Sequence, residues 1–285
     1  MNKQILQVLK SARRYSQKVN NDLVVQYLEG PHEGIVTFGL NRSQQKNAVS
    51  VNLLKDLTEN VDRLVYENEA RVLVIHSLVP GTFCAGADLK ERAGMAPKEV
   101  NNFVKGIRGL VKKIFNIPFP TITALDGIAL GGGLEIALAS DIRIAASNAK
   151  MGLVETKLAI MPGAGGTQFL PRIINPSLAK ELIFTARTID GASAEKLGLV
   201  NKIAQQNDDG NAAYLMSLKM AEEILANGPL GVRMAKQAIN RGIQVDLSTG
   251  LAIEEACYAQ LIPTKDRSEG LTAFKEKRKP VYTGQ

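Results

Sequence analysis

The run Gly131-Gly132-Gly133-Leu134-Glu135-Ile136-Ala137-Leu138-Ala139 decides how this chain is read. Three consecutive glycines ahead of a helix-forming stretch weaken it, since each costs about 0.5–1 kcal/mol relative to alanine in a regular element. Without a Cβ wall a ligand can reach the main chain there, and the first turn of the helix offers unpaired N–H groups with a partial positive charge. An oxygen carrying negative charge fits such a place. Glu135 is expected about one turn into the same helix, within reach of whatever the backbone donors hold. Read alone, the glycines would serve equally for a close crossing of helix on sheet, with Glu135 an ordinary first-turn acid. A second cluster follows closely, Met151-Gly152-Leu153-Val154-Glu155 and then Met161-Pro162-Gly163-Ala164-Gly165-Gly166-Thr167. It again sets a carboxylate among apolar residues beside flexible backbone.

Around this stretch strands and helices alternate. Residues 23–28 and 35–40 read as strands joined through Gly30-Pro31 and Glu33-Gly34, an antiparallel start. From Ser50, a plausible N-cap, Leu53, Leu54, Leu57, Val61, Leu64 and Val65 recur at helical spacing. Residues 71–77 form a short apolar strand, and 80–88 a loop containing Gly81 and Gly86. Pro97 opens a second amphipathic helix that buries Val100, Phe103, Val104, Ile107, Leu110, Val111 and Ile114. Strands at 121–125 and 142–145 flank the glycine-led helix. This alternation through residue 150 predicts an α/β core. Beyond Gly166 the spacing predicts helices at 177–186, 192–197, 211–226, 229–241 and 246–261, with only 199–203 resembling a strand. Such a helical appendage often packs on a neighbouring subunit.

A chain of 285 residues can bury a substantial core. Its formal charge of +7 is uneven, because Lys3, Lys10, Arg13, Arg14 and Lys18 all precede the first acid, Asp22. Without those five cations the remainder carries only +2. The leader, residues 1–20, is basic and free of acids, with Ile5, Leu6, Val8 and Leu9, the composition of an organellar transit peptide rather than a secretory signal. Arg13-Arg14-Tyr15-Ser16 resembles a mitochondrial presequence cleavage site, and ordered structure is expected from near Asn21. Cys84 and Cys257 lack paired spacing, which argues against a disulfide scaffold or a zinc site and fits a reducing compartment. His32 and His76, the only histidines, leave little material for a histidine triad or metal centre. The most apolar stretch, 121–139, contains Asp126, Glu135 and four glycines and is not a membrane span.

Two glycine-rich donor loops and two carboxylates, without metal ligands, suit proton transfer beside a carbonyl, where an oxyanion is held while carbon gains or loses a proton. Paired carboxylates allow one to act as base while the other, its pKa raised, supplies a proton.

Phe83-Cys84-Ala85-Gly86-Ala87-Asp88-Leu89-Lys90, Gly131 to Glu135, and Glu155 with Pro162-Gly163-Ala164-Gly165-Gly166-Thr167-Gln168 together resemble the enoyl-CoA hydratase/isomerase family, the crotonase fold. The similarity runs in order from about Val24 to the C-terminus. It implies an α/β spiral of ββα turns, residues 21–210, followed by a helical region, 211–285, that forms trimers, often paired into hexamers. It further implies an oxyanion hole from the N–H groups of Ala87 and Gly132, with Glu135 acting on water and Glu155 on the α-carbon proton. Because both acids are present, hydration is favoured over isomerisation or hydrolysis. Coenzyme A would be part of the substrate, with no separate cofactor and no metal. Its implied neighbours are Ala85, Asp88, Leu89 and Lys90, with Tyr258 and Lys277 reaching it from an adjacent subunit; Lys275, Arg278 and Lys279 add to the basic tail. The stretches 151–160, 252–260 and 263–267 are similar to hydratases whose branched substrate carries a free carboxylate, which calls for a cation deep in the pocket. A hydratase of the mitochondrial matrix is the resulting expectation. The alternative within enzymes is hydration of unbranched short-chain enoyl-CoA.

A rival of another class is an RNA-binding protein that keeps the fold. Relatives use a lysine-rich helix face for RNA, but here Lys55 and Arg63 stand against Asp56, Glu59, Asp62, Glu67 and Glu69, a net −3. That balance is unsuited to phosphate. Lys105, Arg108 and Lys112, spaced to share one helix face, are what remains for it. Phe169 stands where relatives usually carry Arg after Thr-Gln, which removes a local ion pair.

Overall fold

The structure, a computed structural model, describes residues 13–14, 22–67 and 69–285. The expected leader therefore lies outside the described residues, except for Arg13–Arg14 (β1), which pairs antiparallel with Leu23–Tyr27 (β2). β2 pairs antiparallel with Ile35–Leu40 (β3), as the short Gly-Pro connection predicts. Ser50 caps Val51–Glu67 (α1), its Oγ accepting the Leu53 N–H at 3.0 Å. Leu53, Leu57, Val61 and Leu64 form the buried stripe.

Three successive units then repeat one plan, a longer strand, a short strand and a helix. The first is Val72–Ser77 (β4), Thr82–Cys84 (β5), and the helices Leu89–Ala93 (α2) and Pro97–Phe115 (α3). The second is Thr121–Leu125 (β6), Ile128–Leu130 (β7) and Gly132–Leu138 (α4). The third is Ile142–Ala146 (β8) and Lys150–Gly152 (β9), leading to Gly166–Ile173 (α5) and Pro176–Thr185 (α6). The longer strands join one sheet in the order β1-β2-β3-β4-β6-β8-β11, parallel from β3 onward, where β11 is Lys202–Ala204. Val72, Leu73, Val74 and Ile75 are all buried, as a parallel strand covered on both faces requires. The short strands form a second sheet, β5-β7-β9-β10, closed by Ile189–Asp190 (β10) just ahead of Gly191–Lys196 (α7). This is the spiral of ββα turns. Its second sheet is an addition to the sequence reading, which made the stretch carrying β5 a loop.

Ala212–Leu225 (α8) follows, then Pro229–Gly242 (α9), Leu247–Ala259 (α10) and Lys265–Glu276 (α11). α8, which the sequence reading placed with the C-terminal helices, packs on the large sheet against β4, β6 and β8. Its first turn is held by Asp126, whose carboxylate accepts the Ala213 and Tyr214 N–H groups at 2.7 and 2.9 Å. Tyr214 stacks on His76 at 4.1 Å between ring centroids. Burial pulls the His76 pKa down to about 4, so the ring stays neutral and serves packing. α9, α10 and α11 instead expose Ile239, Leu247, Tyr258 and Phe274, and Ile243 is exposed just past the end of α9. Phe169 meets the edge of Phe115 at 5.3 Å, an aromatic contact in place of an ion pair.

Candidate active site

The stretch ending β5 and running into α2 would be unsupported without the loop before α1, whose importance the sequence reading missed. Asn47 sits at φ 55°, a left-handed conformation that asparagine tolerates better than most residues. From there its Nδ2 donates to Ser77 Oγ at 2.8 Å and to the Phe83 carbonyl at 2.9 Å, while its Oδ1 accepts the Arg42 N–H at 2.7 Å. The main chains are tied as well: Ala85 N–H donates to Lys46 O, Val49 N–H to Gly86 O, and Asp88 N–H to Val49 O, all within 3.0 Å. Arg42 completes the brace with contacts to Ala48 O, Asp22 and Asp88. Asn and Arg flanking a turn ahead of a helix were the available signal.

The three glycines divide their tasks. Gly133 lies against β5, where a Cβ would come within 2.5 Å of the Cys84 carbonyl oxygen, so it permits the close helix-on-strand crossing. Gly131 turns the chain at φ 49° and ψ −127°, a geometry side chains resist. Gly132 opens the first helical turn to the cavity. Its Cβ position lies 3.7 Å from the Ala87 nitrogen, so the two residues adjoin at the cavity wall. Among the described residues neither amide has a hydrogen-bond acceptor.

Glu135 is buried, and its Oε1 accepts the N–H groups of Ala164 and Gly166, both at 2.8 Å. Gly166 allows this approach, since a Cβ there would meet Glu135 Oε1 at 3.1 Å. Desolvation raises the Glu135 pKa, opposed by the Gly166, Ala164 and Gly165 N–H groups and by the charge of Arg108. Glu155 opens a single 3₁₀ turn, and its Oε1 would lie 3.3 Å from a Cβ on Gly131. Its buried Oε2 has no hydrogen-bond partner among the described residues. Desolvation first and the Glu135 charge second push the Glu155 pKa up to about 7. Two carboxylates thus flank these amides in unlike states, one solvated by backbone and one poised to keep its proton near neutrality.

A single cavity brings together Ala85, Ala87, Leu89, Gly132, Glu135 and Glu155, walled by Phe103, Ile107 and Leu158. Asp88 is not among its lining residues; its carboxylate caps α2 through the Glu91 N–H and pairs with Arg42. Lys90 is exposed outside it. Tyr258 borders a separate groove with Asn227, Thr264 and Tyr282, and Lys277 is exposed past the end of α11. Arg108 leaves the proposed basic stripe on α3 by donating Nε and Nη2 to the Gly163 carbonyl at 2.9 and 2.6 Å. Among the described residues no group of three or more His, Cys, Asp or Glu side chains could hold a metal ion, and no helix is long and apolar enough to cross a membrane.

Two free amides beside one buried and one half-buried carboxylate on a ββα spiral define a class, and sequence comparison agrees. The chain belongs to the enoyl-CoA hydratase/isomerase family, whose profile matches residues 30–285. It is 59% identical over 275 residues to the human mitochondrial methylglutaconyl-CoA hydratase, covering 96% of this chain and 81% of that protein. It is 53% identical to mouse mitochondrial enoyl-CoA hydratase domain-containing protein 2, covering 93% of this chain and 89% of the other. A crystal structure of an enoyl-CoA hydratase from Bacillus anthracis superposes with a TM-score of 0.88 at 46% identity, covering 93% of this chain and all of that one.

Proposed function

We propose that this protein adds water reversibly across the 2,3 double bond of an enoyl-CoA thioester, converting 3-methylglutaconyl-CoA to 3-hydroxy-3-methylglutaryl-CoA. The observation that carries the reading is the unlike pair Glu135 and Glu155 on either side of two unpaired amides. The thioester oxygen accepts from the Ala87 and Gly132 N–H groups, each worth a few kcal/mol as negative charge develops on that oxygen. Glu135, its Oε1 held by the Ala164 and Gly166 N–H groups, which favour the charged form against burial, takes a proton from the water whose oxygen bonds to C3. Glu155, protonated up to about pH 7, gives its proton to C2. The substrate assignment draws its support from the 59% identity to the human methylglutaconyl-CoA hydratase.

Coenzyme A enters as part of the substrate, with no separate cofactor. Ala85, Leu89 and Lys90 of one chain, with Tyr258 and Lys277 of a neighbour, border it in a homotrimer or homohexamer. The exposed apolar residues of α9, α10 and α11 support that assembly. A mitochondrial location is proposed from the names of the relatives, and the matrix from the transit-peptide composition of residues 1–20. The test is hydration of 3-methylglutaconyl-CoA against crotonyl-CoA, compared as kcat/KM. A preference of about a hundredfold or more for the branched diacid, roughly 3 kcal/mol in the transition state, is expected. Equal rates, or crotonyl-CoA preferred, would move the protein to general short-chain hydration. Activity on neither would overturn the hydratase reading.

A further inference from the structure

A substrate ending in a free carboxylate brings a third negative group into a cavity that already holds Glu135 and Glu155, and burying it unpaired would be costly. Among the described residues lining the cavity, Arg92 is the only basic one. It stands on α2, lines the cavity together with Phe103, Ile107 and Leu158, and is half-buried. Neither a hydrogen bond nor an ion pair engages its guanidinium among the described residues. Its sequence neighbour Glu91 is engaged elsewhere, accepting the Val51 N–H at 3.0 Å, and Glu99 at the start of α3 accepts the Ala96 N–H at 2.7 Å. Arg108, whose charge also reaches Glu135, is committed to the Gly163 carbonyl.

Resting on the acyl-CoA reading above, we propose that Arg92 binds the distal carboxylate of a dicarboxylic acyl chain and so selects the substrate. A guanidinium presents two parallel N–H donors that match a carboxylate, and it keeps its charge at any working pH. Ala87 and Arg92 line the same cavity, Ala87 ahead of α2 and Arg92 within it, three residues past Leu89. The thioester carbon and the far carboxyl carbon of a five-carbon diacid are about 5 Å apart along an extended chain. With its carbonyl on Ala87 and Gly132, such a chain runs along the apolar wall toward Arg92.

The test needs no turnover. Glutaryl-CoA and valeryl-CoA share chain length and coenzyme and differ in the terminal carboxylate. By titration calorimetry the unaltered protein is expected to bind glutaryl-CoA about tenfold or more tighter, the scale of a charge-assisted hydrogen bond. In Arg92→Met that preference should collapse toward one, and Arg92→Lys should retain part of it. Absence of any preference in the unaltered protein, or equal weakening of both ligands in Arg92→Met, would overturn the proposal. Tight glutaryl-CoA binding without hydration of 3-methylglutaconyl-CoA would sink the hydratase reading and leave Arg92 standing; hydration without the preference would do the reverse.

Discussion

Replacing Glu155 with glutamine should cut turnover by orders of magnitude and at the same time stabilise the folded protein, increasingly so as pH rises. In the native protein Glu155 titrates near 7 instead of 4.5, chiefly because burial disfavours its charged form. A carboxyl group with a raised folded-state pKa binds protons more tightly folded than unfolded. The stability this contributes is fully present below about pH 4.5 and is lost as pH rises through about 7. At 1.36 kcal/mol per unit, the shift corresponds to about 3–4 kcal/mol at most. Glu155 is only half-buried, so solvent screening reduces this to about 1–2 kcal/mol. Glutamine carries no charge and escapes the loss. Urea unfolding of both proteins at one fixed concentration, at pH 5 and pH 8, gives the comparison. The stability difference, variant minus unaltered protein, should grow by that amount between the two pH values, while hydration falls about 10²–10⁴-fold. A difference that is flat or shrinks with pH would refute the account of Glu155 as a buried, proton-holding acid.

Glu135→Gln should lose about 10²–10⁴-fold in kcat with little change in thermal stability, because the glutamine carbonyl still accepts from Ala164 and Gly166; single-turnover hydration and a melting curve check both. Hydration by the unaltered protein should decline above about pH 7 as Glu155 ionises, falling about tenfold between pH 7 and pH 8.5 in a kcat/KM profile. Gly133→Ala should destabilise by about 1–3 kcal/mol in denaturant titration, since the new methyl lies 2.5 Å from the Cys84 carbonyl oxygen. Asp126→Ala, which strands the Ala213 and Tyr214 N–H groups, should cost about 1–2 kcal/mol by the same measurement.

The large sheet and the two long helices were legible because they are long enough to show a period: 72–75 is unbroken and apolar, and Leu53 to Leu64 repeats every three or four residues. Pro97 and Ser50 marked their helices for the reasons their capping positions require. The second sheet was not legible. Its strands are two or three residues long and lie among glycines, so no alternation develops and their stability comes from neighbours in the next turn of the spiral. At the site, Glu135, Glu155, Ala87 and Gly132 could be read from local chemistry, and they converge on one cavity. What could not be read was the difference between Gly132 and Gly133. That depends on which face of one helix meets Cys84, a contact spanning about fifty residues. Arg92 was hidden for the same reason: a cation was called for, but which arginine lines the cavity depends on α2 and α3 meeting there with residues from 131–164.

The docking of α8 on the large sheet bears on how the chain is made. Asp126 and the strands around it leave the ribosome nearly ninety residues before the amides of Ala213 and Tyr214 that its carboxylate binds. A nascent chain that has emerged only as far as residue 210 carries the glycine loop and both glutamates. It also carries a sheet with one apolar face bare to the cell and a carboxylate waiting for its helix. Between the synthesis of β8 and that of α8, that face and the Asp126 carboxylate are thus without the partner that covers them in the finished fold.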